Sequence, residues 1–352
     1  MPGCSLKEKA GALLYDLPRF LRCQMGFPGH SWMFMRNRDE RLVPDARGIG
    51  VRCDWQWTSD LHLAKVFPAL GRHLMKRAME EWPVNLRRLK GRGTCEPEIS
   101  FIIGHRGNER LPHLAAALDA IAGQEEVSWE CLVVEQASLS QLDRSLPESI
   151  CHIHTVPPDG SMPYCRSWAF NVGARRARGR VLVFHDNDIL PPAGYGREIM
   201  RRYHEGYEVI NLKRFIFYLS PADTGRVFST GTLSPAEAPE AVMQNAEGGG
   251  SIAVAREAFL GIGGFDEQFV GWGGEDNEFW ERAQTLRVWP YGYLPLVHLW
   301  HESQPNKFNR VRSTAALFQQ RSAIPVPVRI RELTARNFGS PVQPDPPFKG
   351  SS

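Results

Sequence analysis

From residue 98 onward, short apolar runs alternate with stretches whose apolar positions recur every three or four residues. Residues 98–104 (EISFIIG), 130–135 (ECLVVE), 150–156 and 180–185 (RVLVFH) read as buried strands. Residues 110–122, 164–178 and 193–205 carry the helical period. Residues 208–215 and 251–255 are again strand-like, and Pro191-Pro192 breaks the chain between them and the earlier elements. Strands alternating with helices predict right-handed βαβ units: an α/β fold with a mostly parallel sheet flanked by helices. Ligands of such sheets bind beyond the carboxyl ends of the strands.

Outside that alternation the signals change. Residues 61–82 have helical spacing interrupted by Pro68, and Trp55 and Trp57 alternate with polar residues as in a short strand. Residues 1–95 read as an N-terminal extension with no nameable chemistry, packed on a main domain of residues 96–320. Residues 220–246, rich in Pro, Ala, Ser and Thr, read as a surface loop. One helix is expected beyond Arg310, and residues 321–352 as a tail, disordered in its Pro- and Ser-rich part from Pro341.

Composition narrows the class without naming a function. With 352 residues, 42% hydrophobic and 23% charged, the chain reads as ordinary and globular, and a net charge of +3 does not argue for nucleic acid. Seven scattered cysteines without a CxxC pair indicate neither a zinc cage nor a disulfide framework. Reduced thiols and the lack of a signal peptide lead to the expectation of a cytoplasmic protein. No window approaches the roughly 20 apolar residues of a membrane span, which leaves only peripheral attachment open.

Two stretches carry candidate chemistry. Asp186-Asn187-Asp188 directly follows an apolar strand, where two carboxylates can share a divalent cation and a phosphate-bearing ligand. Turn formation is the plain alternative, since Asp and Asn are common turn residues. In Gly271-Trp272-Gly273-Gly274-Glu275-Asp276, glycines allow close backbone approach and the acids can open a helix over residues 277–286. His298 and His301 would share one face of a helix but diverge on an extended chain; an imidazole beside carboxylates favours Mn²⁺ over Mg²⁺. Metal, arginines and an acid pair together point to transfer from a nucleotide-activated donor, with one acid of Glu275 and Asp276 as the base. No GxxxxGK[ST] loop is present.

Five blocks in order, YCRSWAFNVG (164–173), LVFHDNDILP (182–191), GGGSIAVAREAFLGIGGF (248–265), GWGGED (271–276) and HLWH (298–301), resemble GT-A-fold glycosyltransferases. The resemblance is especially to the animal β-1,4-galactosyltransferases. GWGGED is shared with chondroitin-polymerase-type and polypeptide GalNAc-transferase-like enzymes. The resemblance implies a GT-A fold, Rossmann-like, and an inverting transferase moving a hexose such as Gal or GalNAc from a UDP-sugar with Mn²⁺, or alternatively Mg²⁺.

On that resemblance, Asp188 and His301 are the metal ligands, with His298 a further candidate, and Asp186 contacts the nucleotide. Asp276 stands at the catalytic base and Glu275 beside it touches acceptor or donor. Gly250, Trp272, Gly273 and Gly274 line the sugar, and Tyr164 and Arg166 hold the diphosphate. Arg106, Glu135 and Arg214 are placed at the donor side; around Arg106 the chain reads GHRGNER where the family has Pro-aromatic-Arg-Asn-Arg. The acceptor stays open among a glycan, a lipid-linked sugar, a protein and a small molecule. Golgi members carry an anchor and disulfides, so the expectation for this chain is a bacterial-type cytoplasmic enzyme, with inner-membrane attachment open. A catalytically silent glycan- or sugar-nucleotide-binding module and a metal-dependent nucleotidyltransferase are the alternatives; GHRGNER suits the latter's basic phosphate loop poorly.

Overall fold

The computed structural model describes residues 5–25, 31–35, 41–53, 59–60, 62–89, 96–142, 145–244, 248–302 and 314–341. Its central sheet takes β1 (Ile99–His105), β2 (Trp129–Gln136), β3 (Ile150–Thr155), β4 (Val181–His185), β6 (Val209–Ile210), β9 (Ser251–Ala255) and β10 (Val288–Trp289). The order is β10-β6-β9-β4-β1-β2-β3, with β3, β2, β1 and β4 mutually parallel and β9 reversed between β4 and β6. The expected α/β fold with a mostly parallel sheet is therefore what the chain forms. The inner parallel strands β1, β2 and β4 are buried and mainly apolar because both faces are covered, whereas the edge strand β3 alternates buried with partly exposed residues. Helices α1 (Leu111–Ala122) and α3 (Tyr195–His204) join the core that holds Phe101 and Val183, and α2 (Arg166–Arg176) and α5 (Arg256–Gly261) the one that holds Ile102 and Phe184.

A second sheet stands against the first. It orders Ser59–Asp60, β8 (Ala241–Gln244), β7 (Lys213–Tyr218), β11 (Leu294–His298) and β5 (Ile189–Leu190). The single strand expected over residues 208–215 is two pieces: the chain leaves the central sheet after β6 and enters the second at β7.

Residues 220–246 correct the expected loop. Helix α4 (Pro221–Thr230) is capped by Ser220, whose Oγ accepts from the Asp223 amide, and ends at Gly231 in the left-handed region; β8 follows. Proline at the first helical position after Ser is a start signal that composition alone obscures.

The N-terminal extension packs on the second sheet. Pro68 interrupts the helical stretch as expected, with His62–Val66 ending before it and Pro68–Glu81 opening at it, and Leu74, Met75 and Ala78 share a core with Phe215, Phe217 and Val242. Trp55 and Trp57 lie outside the described residues.

The packed domain also continues beyond residue 320, where a tail is expected. Two helices, α7 (Ala315–Ser322) and α8 (Val326–Thr334), replace the single one, separated by Pro325. Leu333 and Phe338 are buried, and Trp168 Nε1 donates to the Ser340 carbonyl at 2.6 Å. Helix α6 (Glu275–Ala283) is tied to α8 through an ion cluster whose Glu278, Arg282 and Arg329 are buried. Glu278 accepts from Arg282 at 2.6 Å and from Arg329 at 3.1 Å, and Arg329 also reaches Glu281 at 2.6 Å. Breaking such a cluster leaves a buried charge short of a partner. Arg329→Ala is expected to lower unfolding free energy by about 3 kcal/mol. Urea titration of the full chain checks this, and a loss under about 0.5 kcal/mol, the scale of an ordinary surface substitution, contradicts it.

Candidate active site

The site lies where β4, β1 and the last strand of the second sheet end together. β9 runs antiparallel to β4 with Ser251 opposite His185, so Gly250 falls beside Asp186, whose amide donates to the Gly250 carbonyl at 2.9 Å. In the second sheet His298 pairs with Ile189, which sets it next to Asp188; the Leu299 amide then donates to the Asp188 carbonyl at 2.9 Å. The two ladders thus bring Asp186-Asn187-Asp188, the Gly248–Gly250 segment and His298 to one mouth.

Asp188 and both histidines form a compact group. His298 Nε2 lies 3.6 Å from Asp188 Oδ1, and His301 Nε2 lies 3.3 Å from Asp188 Oδ2. One ligand atom from each lies within 4.8 Å of the others. His298 closes a strand and His301 follows it outside any regular element, so neither the helical nor the extended expectation describes the pair; their rings are 5.1 Å apart. His298 stacks on Tyr218 at 4.2 Å.

The group fits a divalent cation. His301 Nδ1 lies 2.9 Å from the Glu302 carbonyl, which can only accept, so that nitrogen carries the proton. With Nδ1 so engaged, Nε2 is the nitrogen that faces Asp188 Oδ2, where it can offer a lone pair to a cation held between them. A carboxylate with two imidazoles suits Mn²⁺ better than Mg²⁺. Burial acts to raise the Asp188 carboxyl, but His298, His301 and Arg110 outweigh it and hold the group well below the carboxylate range.

Arg110, which sequence reasoning missed, lies 3.4 Å from Asp188 Oδ2. It precedes α1 directly, and nothing in the local sequence signals that its guanidinium turns to the end of β4. His105 was missed as well: its Nδ1 pairs with Asn187 Nδ2 at 3.0 Å.

Arg166 occupies the centre. At the first position of α2, its Nε and an Nη bond Asp186 Oδ1 at 3.0 and 2.7 Å, while the other Nη bonds Asp276 and lies 3.6 Å from Glu275. The guanidinium rests on the Phe170 ring, one turn along the helix, at 4.6 Å. Arg166 therefore joins the two motifs that the sequence reading assigned to donor and acceptor. Burial, with Asp188 and Asp276 nearby, pushes Asp186 up to about 6 against the pull of Arg166. Burial, with Asp276 beside it, pushes Glu275 up to about 8.

The glycines of GWGGED are dictated by backbone geometry. Gly271, Gly273 and Gly274 have φ of 115°, 101° and 87°, conformations that cost other residues dearly. Gly274 caps α6, so Glu275 and Asp276 begin the helix instead of preceding it at residue 277. A Cβ on Gly248 would meet Asp276 Cβ at 3.2 Å, and one on Gly249 would meet Asp276 Oδ2 at 3.2 Å. Those glycines keep the floor beside Asp276 open. Trp272 stands 47% exposed at the rim, available as a flat wall.

The other predicted donor residues divide. Tyr164 sits at the mouth: a Cβ on Gly104, at the end of β1, would lie 2.0 Å from its hydroxyl, so the glycine makes room for it. Its carbonyl accepts from the Gly271 amide at 3.1 Å, linking the two motifs through the backbone. Arg106 donates to the Met162 carbonyl at 2.6 Å and braces the segment ahead of α2. Glu135 is buried and accepts from Ser140 Oγ at 2.9 Å, Gln141 N at 2.8 Å and pairs with His152 at 3.0 Å, which makes it an anchor of the loop after β2. Arg214 corrects its expectation: buried over Phe215, it donates to the Met33 and Met35 carbonyls at 2.7 Å and pins the N-terminal extension.

Comparison with known proteins meets this geometry. A family model described as the N-terminal domain of galactosyltransferase matches residues 241–289, which span Gly248–Gly250 and GWGGED. Pig β-1,4-galactosyltransferase 5 is 30% identical over 201 residues, 54% of this chain and 39% of that protein; the human protein is 28% identical over the same span. The chain thus covers about two fifths of the length of the curated relatives it matches. The catalytic domain of Drosophila β-1,4-galactosyltransferase 7, solved with xylobiose, overlaps 61% of this chain and 79% of its own at 17% identity and a TM-score of 0.34. The chain is similar to the β-1,4-galactosyltransferases, and the matched family model covers the part of this site that holds Gly248–Gly250 and GWGGED.

Proposed function

We propose that this protein is an inverting, metal-dependent glycosyltransferase that moves a hexose from a UDP-sugar to an acceptor hydroxyl. The observation that carries the reading is the meeting, at one mouth, of the Asp188–His298–His301 group with the Arg166-bridged acids Asp186, Glu275 and Asp276.

A divalent cation bound by Asp188, His298 and His301 would supply positive charge to the leaving diphosphate. The protein's own residues account for the rest. Arg166 and Arg110 offer guanidinium donors to diphosphate oxygens, the fork geometry that suits phosphate. Glu275, holding its proton at neutral pH, donates a hydrogen bond to a sugar or acceptor oxygen. Asp276 receives the proton of the attacking hydroxyl as the new glycosidic bond forms at the anomeric carbon and the bond to UDP breaks on the opposite face. Trp272 presents an apolar ring face to the C–H side of a sugar. Release of UDP from UDP-sugars in the presence of Mn²⁺ supports transfer; release of pyrophosphate would assign nucleotidyl transfer, and silence with retained UDP binding a binding module.

Asp276→Asn is expected to lower kcat at least about 100-fold while UDP affinity changes less than about threefold, since only proton acceptance is removed. Near wild-type turnover in that variant would rule out Asp276 as the base. Asp188→Ala and His298→Ala should each weaken Mn²⁺ binding about tenfold or more in titration calorimetry, and equal affinity for either variant removes that residue from the metal site.

Glu275 also gives stability a pH dependence of known sign. Its carboxyl keeps a proton up to about 8 when folded and loses it near 4.5 when unfolded, so across that window the native state binds more protons. Stability contributed by this group is complete below the lower value and declines as pH rises to the upper. Glu275→Gln has no such slope, so its urea midpoint should gain on wild type between pH 5 and pH 8. A constant offset at both values would contradict the buried, proton-holding carboxyl.

A further inference from the structure

Residues 6–24 form a near-continuous helical stretch: Leu6–Gly11, a π-helical turn at Ala12–Asp16, and Leu17–Gln24. It has two apolar faces. Ala12, Phe20 and Cys23 are buried, and Phe20 and Cys23 share the N-terminal core with Leu63, Ala64 and Leu74. Leu6, Leu13, Leu14, Leu21 and Met25 turn the other way and are 86, 48, 72, 48 and 65% exposed. Their separations of seven, one, seven and four residues place them along one side of a helix. Tyr15, 54% exposed, lies beside them.

A continuous row of large apolar side chains in water, on a helix already docked by its opposite face, marks an interaction surface. Charge selects the partner. Lys7, Lys9 and Arg22 are exposed along the same stretch, whereas Asp16 is buried and Glu8 folds back onto the Ser5 amide at 2.8 Å in a capping box. The water-facing charge around the stripe is therefore positive. A second copy seated face to face would bring two basic rims together, which repel; a surface of lipid phosphates meets them with opposite charge. Leucine-rich apolar surface edged with Lys and Arg is the pattern of a helix that lies in the plane of a bilayer surface. Among the described residues no helix is long and apolar enough to cross a membrane, so the stripe would lie on the bilayer and not span it.

We propose that residues 6–25 seat this protein on an anionic phospholipid surface. The leucine stripe enters the headgroup boundary, and Lys7, Lys9 and Arg22 meet lipid phosphates. This inference is independent of the sugar-transfer reading.

Flotation of the full chain with vesicles tests it. The wild type should float with phosphatidylcholine vesicles containing phosphatidylserine, much less with phosphatidylcholine alone, and less again at 0.5 M than at ~0.1 M salt. Leu13→Asp with Leu14→Asp should cut the vesicle-bound fraction about tenfold or more, since both side chains belong to the inserted face. Both positions face water, so the thermal unfolding midpoint should hold and a binding loss will not be a folding loss. Lys7→Glu with Arg22→Glu should remove the preference for phosphatidylserine. Absence of wild-type binding, or unchanged binding in the leucine variant, overturns the proposal. So does a wild-type dimer in light scattering that the leucine substitutions dissolve, which would assign the stripe to a second copy.

Discussion

The guanidinium of Arg166 is the interaction on which the site depends. Asp186, Glu275 and Asp276 approach one another from two distant parts of the chain, and a cluster of anions in a partly dry cleft repels itself strongly. Arg166 bonds Asp186 and Asp276 and stands 3.6 Å from Glu275, while Phe170 supports its flat face. The rise of Asp186 and Glu275 above the ordinary carboxylate range measures what burial costs these acids even with that cation in place. The same donors are the ones a diphosphate would recruit, so the bridge that holds the site together without ligand is also its anion receptor.

The rest of the structure holds the two ends of this bridge at a fixed separation. On one side, α2 is set by Cys165, whose amide and carbonyl are both bound by Gln136 at 3.0 and 2.6 Å. On the other, α6 is held through Glu278 to Arg282 and Arg329, a buried set that ties the acids to helix α8 some 50 residues downstream. Residues 315–340 therefore support the site and are not an appendage. Glycine enables the approach between the halves: Gly248 and Gly249 leave no side chain against Asp276, and Gly104 leaves room for Tyr164.

The histidine pair shows what strand register contributes. HLWH spacing is ambiguous in one dimension, because residues three apart converge on a helix and diverge on a strand. The pairing of His298 with Ile189 and with Tyr218 sets the first imidazole beside Asp188, and the irregular segment that follows brings the second to the same carboxylate. Arg110 and Arg214 mark the same boundary from opposite sides. Both are arginines near strand ends; one reaches Asp188, and the other is consumed by the Met33 and Met35 carbonyls. Nothing local in the sequence separates those outcomes.

By itself the sequence determined what short-range physics controls. Apolar runs alternating with helical periods specified the α/β class, and the position of Asp186-Asn187-Asp188 after one such run placed it at a strand end. The glycines of GWGGED announced a backbone only glycine adopts with ease, as their positive φ values bear out. Tertiary structure decided what depends on contacts distant in sequence: that Arg166 spans both acid motifs, that His298 joins His301 at Asp188, that Arg214 belongs to the N-terminal core, and that the C-terminal helices brace α6. Local pattern fixes which side chains can reach a strand end or a helix start, whereas the charge partner each one finds is set by the fold that surrounds it.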